Sequence, residues 1–297
     1  MTPPLLELEV DGRAVTVTNP DRVLWPATGF TKGQMVDYYR AAGEAVVRHL
    51  RGRPLMLGRW PLGIADRGFG QLECRGRPDW MASCSLRLRS GERVETCVVN
   101  DVASLVWLAN QGVVELHPYL ARCESFSRPV AVVFDLDPGP PAGVGECAEV
   151  ALALRERLLA AGLESVAKLS GGGGIHVFVP LNTEIGYAET KRFARDAAAA
   201  LARLRPELVT DRMSRALRGG RVLIDWNQND ERKQTVAAYS LRATNLPAVS
   251  APLRWDEVGA LCRGDDALAL VDPTTTLARL HSIGDPFAPA ATLQQRL

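Results

Sequence analysis

Three aspartates stand where apolar strands run out. Val132-Val133-Phe134-Asp135-Leu136-Asp137 leads into Pro138-Gly139, and Val222-Leu223-Ile224 ends on Asp225. A carboxylate in a dry core is costly unless it is paired, hydrogen-bonded or metal-bound. Side chains alternate along a strand, so Asp135 and Asp137 share a face while Leu136 turns to the core. If the strand that ends at Asp225 lies beside theirs, three carboxylates converge. Such a group repels itself without a cation, and oxygen donors suit Mg²⁺ or Mn²⁺. Two ions of this kind clamp the attacking and leaving oxygens of a phosphoryl transfer. A bare Asp-x-Asp is equally well a pair of strand-end acids held by arginines. The third acid at a matching strand end favours metal.

Other residues suit phosphate. Ser170-Gly171-Gly172-Gly173-Gly174-Ile175-His176 joins two apolar runs. Its glycines leave backbone N–H groups free to form an anion-binding nest. It is not a Walker A loop, because no Gly-Lys-Ser/Thr follows. His176 flanks it as a donor to a phosphate or sugar hydroxyl, or as a core histidine. Arg242, in AAYSLRA, has the guanidinium fork that grips phosphate, although a surface ion pair is the plainer role. Thr31 and Gln34 have the spacing of a helix capping box. That places Lys32 in a first helical turn, beside a natural anion site, with Asn19 and Arg22 on the loop before it. Of the aromatics Trp25, Trp60, Phe69, Trp80 and Trp107, most belong in a core. Trp60 beside Arg59 is a candidate to stack on a base.

The elements that position these residues follow from the same pattern. LLELEVDGRAVTVTN reads as a hairpin around an Asp-Gly turn. A helix is expected from Lys32 to about His49. Strands and turns fill the chain to about Val99, then DVASLVWLANQG reads as a helix and VVELH as a strand. The second half reads as strand AVVFDLD, helix ECAEVALALRERLLAAGL, strands around the glycine run, helix AETKRFARDAAAALARLRP ended by Pro206, and a final strand GGRVLIDWNQN. Strand–helix–strand–strand–helix–strand is the order of a split βαβ sheet: mostly antiparallel, helices on one face, the other face open. PGPPAGVG at 138–145 separates the halves.

Bulk properties set limits. The 297 residues are 46% hydrophobic and 23% charged, which is ordinary globular composition. The formal net charge of +1 means that any nucleic-acid partner must be held by local patches. The six cysteines form no CxxC pair, so the expectation is free thiols in a reducing cytosol. No basic, apolar leader and no run long enough to span a membrane are visible, so the chain reads as soluble and cytoplasmic.

Taken in order, TNPDRVLWPATGFTKG, RPLMLGRWPLG, LVWLANQGVVELHPY, VVFDLDPGP, KLSGGGGIHVFVPL, RVLIDWNQN and AAYSLRA closely resemble the polymerase domain of bacterial ligase D, of the archaeo-eukaryotic primase superfamily. The resemblance implies an α+β primase-polymerase fold. A split-βαβ (RRM-like) catalytic sheet would pack against an N-terminal α/β part, in one polymerase domain over 1–297. Residues 1–128 would hold a 5′-phosphate pocket, and 129–297 the catalytic sheet and C-terminal segment. It implies a DNA polymerase or primase-like nucleotidyltransferase of non-homologous end joining, using two Mn²⁺ or Mg²⁺ ions and nucleoside triphosphates. Partners would be double-stranded DNA with a gap or break and a 5′-phosphate, with Ku and a separate DNA ligase, at the nucleoid and not at a membrane.

By residue, the resemblance gives Asp135, Asp137 and Asp225 the metals. It gives the nucleotide to His117, Ser170, Gly171, Gly174, His176 and Arg242, and the DNA 5′-phosphate to Asn19, Arg22 and Lys32, where the middle position is usually lysine. Arg59, Trp60 and Phe69 become candidate template contacts. The chain departs from the family where Gly173 replaces a lysine and Leu169 a threonine. Gly70 and Leu72 alter a Phe-Phe-Gln-Lys motif, and Gly58 replaces a common basic residue. Each lost charge-assisted bond costs about 1.5–3 kcal/mol, which implies weaker nucleotide binding with the chemistry intact. Two other readings are a DNA-end 5′-phosphate binding module with little or no polymerase activity, and a phosphatase of the haloacid-dehalogenase type. Pro138 and the lack of that family's lysine and Thr/Ser motifs count against the phosphatase.

Overall fold

The computed structural model describes residues 5–297; positions 1–4, part of the stretch read as leaderless, lie outside them. The chain divides into two compact units. The first comprises the residues up to Glu124 with Gln234–Val249 and Asp272–Gly284. The second comprises Ser125–Lys233, Ser250–Val271 and Asp285–Leu297.

In the first unit, strands Leu5–Val10 and Arg13–Thr18 pair antiparallel around Asp11-Gly12, both of which have positive φ. That is the backbone an Asp-Gly hairpin turn requires. The capping box is present: Gln34 N–H donates to Thr31 Oγ1 at 3.2 Å and Thr31 N–H to Gln34 Oε1 at 2.8 Å. The helix expected to reach His49 stops at Ala41, and a second runs over Gly43–Leu50. Gly43 lies against the helix Val102–Asn110, where an added Cβ would stand 2.5 Å from Val102 Cγ1. A three-stranded sheet sets Leu55–Arg59 between Phe69–Gln71 and Val113–Pro118.

The expectation of free thiols is corrected for four cysteines. Cys74 is bonded to Cys97, and Cys84 to Cys123, while Cys147 and Cys262 are free. In the hairpin Ser83–Arg87/Arg93–Cys97, Ser83 pairs with Cys97 and Cys84 with Thr96. Cys84 and Cys97 therefore lie on opposite faces, and one disulfide tethers each face. Sequence spacing gave no sign of this, because the partners are 23 and 39 residues apart and meet only through folding.

The second unit holds the expected sheet, extended at both edges. Its order is Val209–Thr210, Val222–Asp225, Ala131–Pro138, Ile175–Pro180, Val166–Leu169, Pro252–Leu253. The four central strands are antiparallel neighbours. Val222–Asp225 is not the last strand, because Pro252–Leu253 adds an edge beyond Val166–Leu169. The helices Val144–Ala160 and Tyr187–Leu204 flank the sheet. Phe134 points toward them and meets Phe193 edge-on at 6.5 Å between centroids. The alternation that sends Phe134 and Leu136 inward turns Asp135 and Asp137 to the opposite face. No helix among the described residues is long and apolar enough to cross a membrane.

Candidate active site

Strand register brings the acids together. Asp135 is the direct cross-strand partner of Asp225, and on its other side it pairs with His176. Asp137 lies two residues along the same strand, opposite Leu223. His176 Nε2 is 3.1 Å from Asp135 Oδ1. Gln228 Nε2 donates to Asp135 Oδ2 at 3.2 Å and to Asp225 Oδ2 at 3.1 Å. Asp225 Oδ1 also accepts from Asn227 N–H at 2.9 Å.

The electrostatics separate the three. Burial pushes Asp137 up to about 7, helped by the charges of Asp135 and Asp225 and only partly countered by Arg218. Burial, with Asp135 beside it, also raises Asp225. Burial alone would raise Asp135 too, but His176, Lys168 and Gln228 more than offset it and hold that acid below its ordinary value. Three carboxylates that resist joint ionisation are a donor set that a divalent cation relieves. As the side chains stand, no three acidic, His or Cys groups among the described residues close on one ion. Asp135 and Asp225 turn oxygens to His176, Gln228 and Asn227 instead.

The glycine run is ordered by Ser170. Its Oγ accepts from Gly172 N–H at 3.2 Å and Gly174 N–H at 3.1 Å, and its own N–H donates to Gly174 O at 2.9 Å. Gly174 presses on the acid-bearing strand: an added Cβ would sit 2.3 Å from Leu136 O. Gly171 and Gly173 have φ of 74° and 102°, conformations that glycine adopts freely. A Cβ added at Gly173, where the family usually has lysine, would meet nothing within 4 Å.

In the first unit, Glu115 holds two of the expected nucleotide residues. Its Oε2 lies 2.9 Å from His117 Nε2 and 3.5 Å from Arg242 Nη1, and its Oε1 accepts from Ala243 N–H at 3.0 Å. Arg242 Nε is buried with no hydrogen-bond partner among the described residues. Glu115 stays below its ordinary pKa because His117, Arg242 and Ala243 outweigh a burial effect that alone would raise it.

Asn19, Arg22 and Lys32 also come together. Arg22 N–H donates to Asn19 O at 3.1 Å and Lys32 N–H to Arg22 O at 2.8 Å. Lys32 Nζ donates to Thr18 O at 2.7 Å; burial, then Arg22, lowers its pKa to about 8. The helix start offers fewer free N–H groups than a bare terminus, since Lys32, Gly33 and Gln34 all donate to nearby oxygens. Any anion here is met mainly by side chains.

Among the template candidates, Phe69 is the exposed ring, at 49%. Arg59 stacks its guanidinium 5.5 Å from that ring and donates to Gln111 O and Gln71 Oε1. Trp60 is wedged against backbone: a Cβ on Gly68 would stand 2.1 Å from the indole, and one on Gly58 2.9 Å. Gly58 thus lacks room for the basic side chain usual in the family, because Trp60 fills it.

Sequence reading passed over Lys168, Gln228 and Glu115. Lys168 interrupts an otherwise apolar strand, and Glu115 lies two residues before His117 and so on its face, so both were visible signals. Gln228 was not, because it reaches the acids through the short turn Trp226–Gln228.

A split-βαβ sheet that gathers acids on its open face beside a serine-anchored glycine turn defines the primase-polymerase class. The model of the ligase D primase-polymerase domain matches residues 31–287. The chain belongs to that family. It is 37% identical to the multifunctional non-homologous end joining protein LigD of Mycolicibacterium smegmatis, over 93% of this chain and 36% of that protein. It is 30% identical to the bifunctional LigD of Bacillus subtilis, over 91% and 43%. It therefore spans less than half the length of these relatives. Among solved structures, it resembles the polymerase domain of Mycobacterium tuberculosis ligase D in complex with DNA, with a TM-score of 0.88 and 33% identity over 95% of this chain and 99% of that one.

Proposed function

We propose that this chain is a DNA-directed nucleotidyltransferase that adds ribo- or deoxyribonucleotides to a primer 3′ end at gaps or breaks, in end-joining repair. Its two units would work as one polymerase domain. The observation that carries the reading is the pairing of Asp135 with Asp225, with Asp137 beside them resisting ionisation. Family membership and the DNA-bound relative support the same substrate class.

Asp135, Asp137 and Asp225 are the residues that would hold two Mn²⁺ or Mg²⁺ ions, whose chemistry is to acidify the attacking 3′-hydroxyl and neutralise the departing pyrophosphate. The chain's other groups bind and orient. His176 steadies Asp135, and Ser170 holds the turn of Gly171 and Gly174 that presents backbone to the nucleotide. His117 and Arg242, fixed by Glu115, supply donors for the triphosphate, with the buried Arg242 Nε still available. Asn19, Arg22 and Lys32 receive the 5′-phosphate, and Phe69 offers a ring to a template base. Ku and a separate ligase are the proposed partners for bringing and sealing the ends.

The test is primer extension on a gapped duplex bearing a 5′-phosphate, with Mn²⁺, comparing the wild type with Asp137→Ala. Extension by the wild type alone supports the proposal. Binding that depends on the 5′-phosphate with no extension by either protein overturns it in favour of a DNA-end binding module.

A further inference from the structure

Four polar side chains lie along one row of the sheet in the second unit. Asp225 pairs with Asp135, Asp135 with His176, and His176 with Lys168. Direct cross-strand partners share a face, so the row is continuous. Lys168 is wholly buried. A buried ammonium is costly unless its donors are satisfied, and two acceptors stand beside this one. Its Nζ donates to Ser250 Oγ at 2.6 Å and lies 3.0 Å from His176 Nδ1. Ser250 Oγ in turn donates to Leu169 O at 2.7 Å. The Phe178 ring lies 5.9 Å from Nζ and closes the site on another side.

The chemistry of the donors fixes the histidine. An ammonium has three N–H donors and no acceptor. Nδ1 of His176 must therefore accept from Lys168. The imidazole proton then lies on Nε2, which faces Asp135 Oδ1 at 3.1 Å. The order is Ser250, Lys168, His176, Asp135: a hydrogen-bond relay that sets both the tautomer and the direction of the histidine. Partners of this kind orient the residues that do the chemistry and raise or lower their competence without touching substrate.

We infer that Lys168, braced by Ser250, is a positioning residue that locks His176 with its Nε2–H turned to the acid site. The inference deepens the proposed nucleotidyltransferase reading and rests on it for its effect on turnover. The tautomer itself does not depend on that reading.

The experiment pairs ¹⁵N NMR of labelled histidine, with the His176 signals assigned through His176→Gln, with primer extension. In the wild type, His176 should carry its proton on Nε2 and leave Nδ1 as an acceptor. Lys168→Met keeps an unbranched side chain of nearly the same length and removes the ammonium. It should release the tautomer, so that Nδ1–H becomes populated, and lower kcat by about 10- to 100-fold. The thermal unfolding midpoint should not fall with it. Ser250→Ala should move both readouts the same way by less, and it carries the test if Lys168→Met does not fold. Nδ1–H in the wild type overturns the inference. So does a variant that keeps the tautomer, whatever its kcat. A wild type that shows the Nε2–H tautomer but extends no primer sinks the nucleotidyltransferase reading and leaves the positioning geometry standing.

Discussion

Asp135 and Asp225 face each other across neighbouring antiparallel strands, and one amide nitrogen, that of Gln228, donates to both. The pair is therefore set by the pairing of two strands and not by a flexible loop. Replacing Asp225 or Asp137 by Ala should abolish nucleotide addition, by more than the roughly 100-fold that loss of a supporting partner reaches. The fold should survive, because one of three mutually repelling acids is gone. Single-turnover primer extension beside a thermal melt checks both halves.

Protons compete with cations at Asp137. With its carboxyl pushed up to about 7, Mn²⁺ affinity should weaken by about tenfold per pH unit below that value, as a ligand that must lose one proton requires. Metal-free stability should run the other way. Between the ordinary aspartate value of 3.8 and about 7 the native state holds a proton that the unfolded chain has lost, so stability falls as pH rises through that window. Mn²⁺ titrations followed by electron paramagnetic resonance at pH 6, 7 and 8, with melts in chelator, measure the two trends. A flat Mn²⁺ affinity would count against Asp137 as a ligand.

Lys32 gives a second pH signature. With its pKa lowered to about 8, it should be charged at pH 7 and largely neutral at pH 9. Preference for a gapped duplex with a 5′-phosphate over one with a 5′-hydroxyl should shrink across that interval. Lys32→Met should show little preference at either pH. Fluorescence anisotropy with the two duplexes reads the difference.

Two disulfides close loops of 23 and 39 residues in the first unit. By chain entropy each contributes about 3 to 4 kcal/mol. Alkylation of the unreduced, unfolded chain should label Cys147 and Cys262 only, and all six cysteines after reduction. The reduced chain should melt at a lower temperature.

Gly174→Ala tests the turn against the acid strand. The new methyl would meet Leu136 O and should cost about 1–3 kcal/mol by overpacking, while shifting the turn that Ser170 anchors. Gly173→Ala has free space but a φ of 102°, so it should cost stability by strain while disturbing extension less. Melts and extension rates of the two variants separate clash from strain.

Much of the second unit was legible in sequence because period-2 alternation and helix stops are local signals. Asp135 and Asp137 share a face for that reason alone, and Asp225 needed only the order of strands. What escaped was what depends on distant contact. The break at Ala42 comes where Gly43 meets Val102, 59 positions on in the numbering. The disulfides join one hairpin to a loop at Cys74 and to a 3₁₀ turn at Cys123, and the edge strand Pro252–Leu253 is too short to carry a pattern. Lys168 was a different kind of miss. Its apolar neighbours marked it as buried, and a buried lysine asks for a partner.

The chain passes from one unit to the other at 124/125, 233/234, 249/250, 271/272 and 284/285. A fragment ending at Lys233 would strip the first unit of the hairpin that carries Arg242 and the second of the Ser250 that braces Lys168. Neither unit is a cassette that recombination can lift out whole. Arg242 in one and the three aspartates in the other are bound to be inherited, synthesised and lost together.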